Sequence, residues 1–248
     1  MKSSRLQRYH KKIIETYRYE GIRFLVWRIL TWCLAPFGAL YVVWLCKKDL
    51  REPLEDFDAK IPVEVVQATE ADLETIAAMV ARRRSLTPSG SGWYRQLGIR
   101  GTIIERFQRG DRCFLGKVGQ EVVHFNWIFF NRAKPISPVD HHIELEADEG
   151  MCNDGFTEEA WRGKSVHRVV NHQMLRFLKM SGYRTAFTSV GAGDMLAQKA
   201  LRRIGWEFPT LMVCVIPRGS TKEWIWQFGG SITKAVDFLF SSQRYSRN

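Results

Sequence analysis

The chain has no C-x-x-C pair. Its five cysteines, Cys33, Cys46, Cys113, Cys152 and Cys214, are scattered and odd in number. That pattern argues against a disulfide framework and a cysteine-based zinc site. Reduced thiols in a cytosolic compartment are the expectation. An internal repeat and a low-complexity tract are also missing, which removes repeat architectures from consideration. No cleavable leader is expected: the first apolar run starts late, at Phe24, and no small-x-small site follows it. Acidic residues are scarce. Against 37 Lys and Arg stand 26 Asp and Glu, a net charge of +11. Such an excess implies an anionic partner: nucleic acid, an anionic membrane surface or a phosphorylated ligand. The basic residues cluster beside apolar segments rather than along one stripe, so no nucleic-acid partner is expected.

What remains is the composition of an ordinary globular protein, 45% apolar and 25% charged. The 248 residues suffice for one domain of about 150–200 residues and an appendage. Three regions are expected: a basic and hydrophobic helical segment over 1–60, a catalytic domain over 61–217, and an aromatic helical tail over 218–248.

Residues 1–28 hold eight Lys or Arg and two acids, Glu15 and Glu20. Phe24 to Cys46 follows, 23 nearly all apolar residues broken by Arg28, Thr31, Pro36 and Gly38. That length could just cross a bilayer. Arg28 and the two positive flanks speak against a simple span. A helix-break-helix lying in the interface fits better, with Pro36 and Gly38 as the break. Trp27, Trp32, Tyr41 and Trp44 would sit at headgroup level. The expectation is peripheral attachment to the cytoplasmic face of an anionic membrane.

Lys48 to Ile61 reads as a linker. Pro62–Ala68 alternates as a strand, and Thr69 to Asp72 is an N-cap signature before the stripe Leu73, Ile76, Ala77, Val80. Pro88–Gly92 reads as a loop and Trp93–Gln108 as a helix. Asp111–Val118 and Glu121–Phe130 form a hairpin turning at Gly119-Gln120. His142–Asn153 contains a further strand. Gly163–Met180 carries Val166, Val170, Met174, Phe177 and Leu178 on one helix face, and Gly182 stops it. Tyr183–Ser189 is a strand, Asp194–Ile204 a helix, and Trp206–Ile216 a strand. The order β-α-α-β-β-β-α-β-α-β implies a mixed sheet flanked by helices rather than a doubly wound one.

Arg162-Gly163-Lys164-Ser165-Val166-His167 lies between a strand and a helix. A tight turn of small residues opening a helix points successive backbone N–H groups at whatever lies in front, and the helix dipole favours an anion. A diphosphate meets that description, with Arg162 and Lys164 adding charge. His141-His142 lies near several acids. Adjacent residues of a strand point to opposite faces, so no metal is expected.

Phe156-Thr157-x-x-x-Trp161-Arg162-Gly163-Lys164 resembles the acyl-CoA motif of the GNAT acyltransferase superfamily, whose core is Q/R-x-x-G-x-G/A. Asp194-x-x-Ala197-x-x-Ala200-Leu201-Arg202-Arg203-Ile204-Gly205-Trp206 resembles the same family's second motif, N-x-x-S/A-x-x-x-Y-x-K-x-G-F. The resemblance runs from about Val63 to Ile216. It implies a mostly antiparallel α/β sheet and an acyl-CoA site formed by Phe156, Thr157, Arg162, Gly163, Lys164, Ser165, Val166, His167 and Asp194. It also implies a thioester set between two parallel strands, a backbone N–H polarising its carbonyl, and direct attack by an amine. Ser165 and His167 stand where glycine or alanine is usual, Asp194 replaces asparagine, and Leu201 stands where many members carry an acid tyrosine. The leaving thiolate is then protonated by water or Tyr183, or leaves unprotonated. Asp154, then Glu146, are the candidate bases for the amine proton. The implied activity is acyl transfer, acetyl or longer, from acyl-CoA to an amine of a small molecule, sugar or lipid-linked acceptor. Alternatives are a long-chain acyl carrier protein (acyl-ACP) as donor, and a catalytically degenerate membrane-bound binding module.

Overall fold

The computed structural model describes residues 29, 33–34, 36–55, 60–86, 97–136, 139, 141–220 and 222–229. The strands are β1 (Gly38–Asp49), β2 (Glu64–Gln67), β3 (Arg112–Val118), β4 (Glu121–Phe129), β5 (Arg132–Ala133), β6 (Ile143–Glu144), β7 (Glu149–Thr157), β8 (Thr185–Gly191), β9 (Glu207–Pro217) and β10 (Trp224–Gly229). The helices are α1 (Leu73–Leu86), α2 (Gly98–Arg109), α3 (Val166–Met180) and α4 (Met195–Arg203). The chain divides into two compact units, Lys47–Ser189 on one side and Met1–Cys46 with Val190–Asn248 on the other.

In the Lys47–Ser189 unit the strands run in the order β8-β7-β4-β3-β2. All pairs are antiparallel except β7 with β8, so the sheet is mixed and mostly antiparallel. Local chemistry explains its joints. Thr69 and Asp72 exchange side-chain and backbone bonds in a capping box ahead of α1. Gly119, at φ 60, makes the two-residue turn between Val118 and Glu121. Gly110, at φ 90, ends α2 by donating to Arg106 and Phe107 carbonyls.

The pleat sorts β4 into two faces. Asn126 and Ile128 look toward α3, whereas Trp127 packs its ring on Phe107 of α2, centroids 5.2 Å apart. Phe125, Trp127 and Phe129 are fully buried; each such side chain contributes about 1.5–3 kcal/mol. On the other face α3 buries Val166, Val170, Met174 and Leu178, every fourth residue. Two strand glycines let it lie close. A Cβ on Gly116 would come within 2.8 Å of Val170, and one on Gly150 within 2.8 Å of Leu178. Phe177 stacks edge-on against Phe114 at 5.4 Å.

In the second unit β10, β9 and β1 are consecutive neighbours, with β10 antiparallel to β9. α4 is capped by Asp194, and Gln198 satisfies the Gly191 and Ala192 carbonyls at 3.0 and 2.8 Å.

From Glu64 to Pro217 the expected order holds apart from two additions, the two-residue strands β5 and β6, which pair with each other. Two expectations are corrected. Residues 38–46 are not part of a helix-break-helix: they lie in the 12-residue strand β1, where Leu45 and Cys46 are buried. The apolar run left ahead of it, Phe24 to Phe37, is shorter than the about 20 residues a span needs. Among the described residues no helix is long and apolar enough to cross a membrane. In the tail, Trp224–Gly229 is a strand rather than a helix; its aromatic and β-branched residues suit a pleated surface. The basic segment 1–28, the Pro88–Gly92 loop, the start of the helix at Trp93, and the stripe Ile232 to Phe240 lie outside the described residues.

Candidate active site

The site grows from an irregularity in β7. Against β4, Phe156 pairs with Phe125 but Asn153 pairs with Trp127. Three steps along β7 therefore match two along β4, so one extra residue is inserted opposite Asn126. This is a β-bulge. Among the described residues three non-glycines have a left-handed backbone, Asn131, Asp154 and Ser165. Two of them frame this site. Asp154, at φ 62, is the bulged residue, and the bulge turns its side chain to the α1–α2 face.

There its carboxylate meets two guanidinium groups. Arg83 donates to Oδ1 at 2.5 Å and Arg106 to Oδ2 at 2.7 Å. The Asp154 side chain is 0% exposed and that of Arg106 2%. The Arg106 guanidinium lies 5.0 Å from both the Trp127 and Phe129 rings, a cation–π seat. Helices α1 and α2 are thereby tied to the bulge. With both oxygens engaged in charged hydrogen bonds, Asp154 is poorly placed to take a proton from a substrate.

Beyond the bulge, Gly155 can only be glycine-sized: a Cβ would meet Asn126 Cγ at 2.9 Å. Phe156 is buried under the Arg162 guanidinium, 5.8 Å from its ring. The chain then leaves the sheet through a short 3-10 turn, Glu159–Trp161. Arg162 Nε donates back to the Thr157 carbonyl at 3.2 Å. Gly163, at φ 75, and Ser165, at φ 68, turn the chain into α3. Ser165 is the N-cap, and its hydroxyl makes no capping bond. A serine held left-handed costs of order 1–3 kcal/mol, and such strain gathers at functional sites. The first turn of α3 carries no acidic residue.

Three cations surround this turn. Lys60 Nζ donates to the Gly163 carbonyl at 3.0 Å, Arg162 holds the loop, and Lys164 Nζ lies 4.4 Å over the Trp161 ring. Arg82 anchors the loop to α1 through Glu158 at 2.8 Å. His167 folds along its helix to Asn171, 2.9 Å from Nε2, which draws the ring back from the helix start. Val166 is buried beneath the turn. The arrangement of N–H groups, left-handed turn and cations fits a diphosphate group.

Upstream, β7 and β8 pair in parallel at Glu149–Thr185, Gly150–Ala186 and Met151–Phe187, where the ladder ends. Past that point Asn153 Nδ2 donates to Ser189 Oγ at 3.0 Å and to the Lys134 carbonyl at 3.2 Å. Ser189 Oγ donates to the Pro135 carbonyl at 2.6 Å. The two strands thus splay, with polar groups in the gap.

The other expected residues are elsewhere. Glu146 is exposed on the turn before β7, where its N–H donates to Glu149. The nine residues of β7, about 30 Å of strand at the usual rise, separate it from the loop. Tyr183 is at that same strand end, stacked on Phe130 at 5.2 Å. Asp194 belongs to the second unit, where Oδ1 accepts the Ala197 N–H at 2.9 Å as the α4 cap. Leu201 is buried on α4. Among the described residues no group of His, Cys, Asp or Glu could hold a metal. Sequence reasoning missed Lys60, Asn153, Ser189 and the two arginines on Asp154, all brought in by long-range packing.

No protein-family profile matches the chain, and no curated protein matches it. Among solved structures it is similar to an acetyltransferase of the GNAT family from Novosphingobium aromaticivorans, with a TM-score of 0.50 and 11% identity over 73% of this chain and 66% of that one. The chain has the GNAT fold. An acetyltransferase from Clostridium acetobutylicum solved with acetyl-CoA is also similar, with a TM-score of 0.43 and 12% identity over 59% of this chain and 90% of that one. So is an N-acetyltransferase from Staphylococcus aureus, with a TM-score of 0.44 and 16% identity over 57% and 81%. At 11% identity the likeness to the Novosphingobium protein speaks to the GNAT fold alone.

Two outcomes follow from the site. Asp154→Ala leaves two guanidiniums facing a cavity, so the unfolding free energy in urea is expected to drop by about 3–5 kcal/mol. Stability is also expected to depend on pH through His124. Burial holds His124 well below the usual histidine range. Below pH 6.5 the unfolded chain binds a proton there that the folded chain refuses. Unfolding free energy, measured in urea from pH 7.5 downward, should therefore fall below pH 6.5, and His124→Gln should flatten that fall.

Proposed function

We propose that the chain is an N-acyltransferase that moves an acyl group, acetyl or longer, from acyl-CoA to an amine of a small molecule, sugar or lipid-linked acceptor. The observation that carries this reading is the left-handed Ser165 between the bulge of β7 and the start of α3. A strained cap with no capping bond of its own leaves the helix N-terminus to an external anion. Lys60, Arg162 and Lys164 supply charge to the donor's diphosphate. The bulge at Asp154 takes backbone out of the ladder, and an amide freed there serves the thioester carbonyl as it becomes an oxyanion. The splay past Met151 and Phe187 gives the acyl group its place.

The amine nitrogen attacks the thioester carbon directly, the C–N bond forms and the C–S bond breaks. A thiol pKa near 8.5 lets the sulfur leave as thiolate, which suits Leu201 in place of an acid tyrosine. Asp154 is occupied by Arg83 and Arg106, and Glu146 stands at the far end of β7. The ammonium proton therefore passes to water, for which Asn153 and Ser189 offer hydrogen bonds. In this reading Asp154 is the anchor that holds the bulge in shape.

We propose further that the donor is acyl-CoA, with an acyl carrier protein as the alternative, and that the protein attaches peripherally to the cytoplasmic face of an anionic membrane. Full-length protein that stays in the high-speed supernatant with anionic vesicles present rejects the attachment. For the donor, calorimetric titration with acetyl-CoA, long-chain acyl-CoA and acyl carrier protein is the test. Lys164→Ala should weaken binding about tenfold, the loss of roughly 1.4 kcal/mol, and Ser165→Trp should abolish it. A protein that binds no CoA species, or for which both variants bind as the parent does, contradicts the reading.

A further inference from the structure

Asn126, Asn171 and His167 form a directed chain of hydrogen bonds from β4 to the start of α3. Its first donor is backbone: the Trp127 N–H donates to Asn126 Oδ1 at 3.0 Å. A backbone N–H cannot reverse, so this bond settles which end of the Asn126 amide is oxygen. Asn126 Nδ2 then donates to Asn171 Oδ1 at 3.3 Å, and that settles Asn171. Asn171 Nδ2 in turn donates to His167 Nε2 at 2.9 Å. Nε2 must offer a lone pair, so the proton of a neutral His167 sits on Nδ1. A cationic His167 would set two N–H donors head to head and break the last link. Asn126 is 1% exposed and Asn171 4%, so neither amide turns over toward water. Gly155, packed on the Asn126 amide, seats the chain on the bulge.

The charged and titratable groups around the ring agree with a neutral histidine. His124 of β4 lies with its ring 5.2 Å away, its Nδ1 on Thr157 Oγ1 at 2.8 Å and its Nε2 buried without a partner. Arg168 is the next residue of α3. Arg162 and Lys164 stand in the loop, with Lys60 on its carbonyl. The loop's acids are Glu158, bound to Arg82, and Glu159. The helix N-terminus adds its own positive field.

We infer that the Trp127–Asn126–Asn171 chain fixes His167 as the neutral Nδ1–H tautomer, a positioning residue whose charge stays constant when an anionic donor binds at the start of α3. The second clause rests on the acyl-CoA reading above. An anion arriving beside an unconstrained histidine would draw a proton onto it; the amide chain resists that proton at Nε2.

The first test needs no ligand. Side-chain proton–nitrogen correlation spectra of the full chain, with signals assigned through His167→Gln and His124→Gln, report tautomer and charge. His167 is expected as Nδ1–H, the minor form of imidazole in water, and neutral at about pH 6.5, where an ordinary histidine is half protonated. Asn171→Leu should return the ring to the water-like mixture and ordinary titration. An Nε2–H or cationic His167 in the parent protein, or an Asn171→Leu spectrum identical to the parent's, overturns the inference. The second test is calorimetry with dephospho-CoA, which carries the diphosphate and no phosphate that titrates near neutrality. In two buffers of different ionisation heat the parent protein should give the same binding enthalpy. Asn171→Asp, whose carboxylate accepts a proton-bearing Nε2, should take up as much as about one proton per ligand. Proton uptake by the parent overturns the constant-charge claim. Absence of dephospho-CoA binding overturns the acyl-CoA reading, and the spectra still decide the tautomer.

Discussion

Two guanidinium groups on one buried carboxylate, Arg83 and Arg106 on Asp154, are the constraint on which the rest of the site depends. A left-handed aspartate inside a strand is costly on its own, and the ion pairs offset that cost. Because the bulge shifts the alternation of β7 by one, every residue after it changes face. Phe156 comes to the α2 side and Thr157 to the α3 side, where His124 receives it. Had β7 run on without the extra residue, the loop would leave the sheet from the wrong face. The orientation of Arg162 to Ser165 therefore follows from a charge interaction made by residues in two distant helices.

The same device divides labour between the faces of β4. On the α1–α2 side, rings and guanidiniums fix the bulge in a dry, charged seat, with Arg106 over the Trp127 and Phe129 rings. On the α3 side, neutral amides and imidazoles lead from the bulge to the helix start. Neither network contains a group free to act as a strong base. The chemistry proposed for the site suits this economy, because a thioester and an amine need orientation and a polarised carbonyl more than they need a nucleophile from the protein.

Much of the fold was legible because period and punctuation agree in the Lys47–Ser189 unit. Thr69 to Asp72, Gly110, Gly119 and Gly182 mark turns by their own chemistry, and α3 repeats its buried residues every fourth position. Arg162 to Ser165 could be read as a basic turn opening a helix since the needed residues are adjacent. The errors have physical causes as well. Gly38–Asp49 is nearly all apolar at its start, and an apolar strand has the composition of a membrane helix, with no alternation to reveal it. Trp224–Gly229 is short and aromatic, which period alone does not assign. Asp154 looked like a base because its partners lie 71 and 48 positions away. Lys60 was counted into a linker although it meets Gly163 across 103 positions. Charge pairing over such distances leaves no local trace.

The central claim is that the turn between β7 and α3 is where the acyl donor is held. Backbone hydrogen exchange with and without acetyl-CoA addresses it residue by residue. The account predicts that the donor slows exchange over residues 154–168, centred on Ser165 and Val166, and leaves β2 and α2 unchanged. Protection that appears elsewhere in the Lys47–Ser189 unit while 154–168 exchanges at its unliganded rate would contradict it.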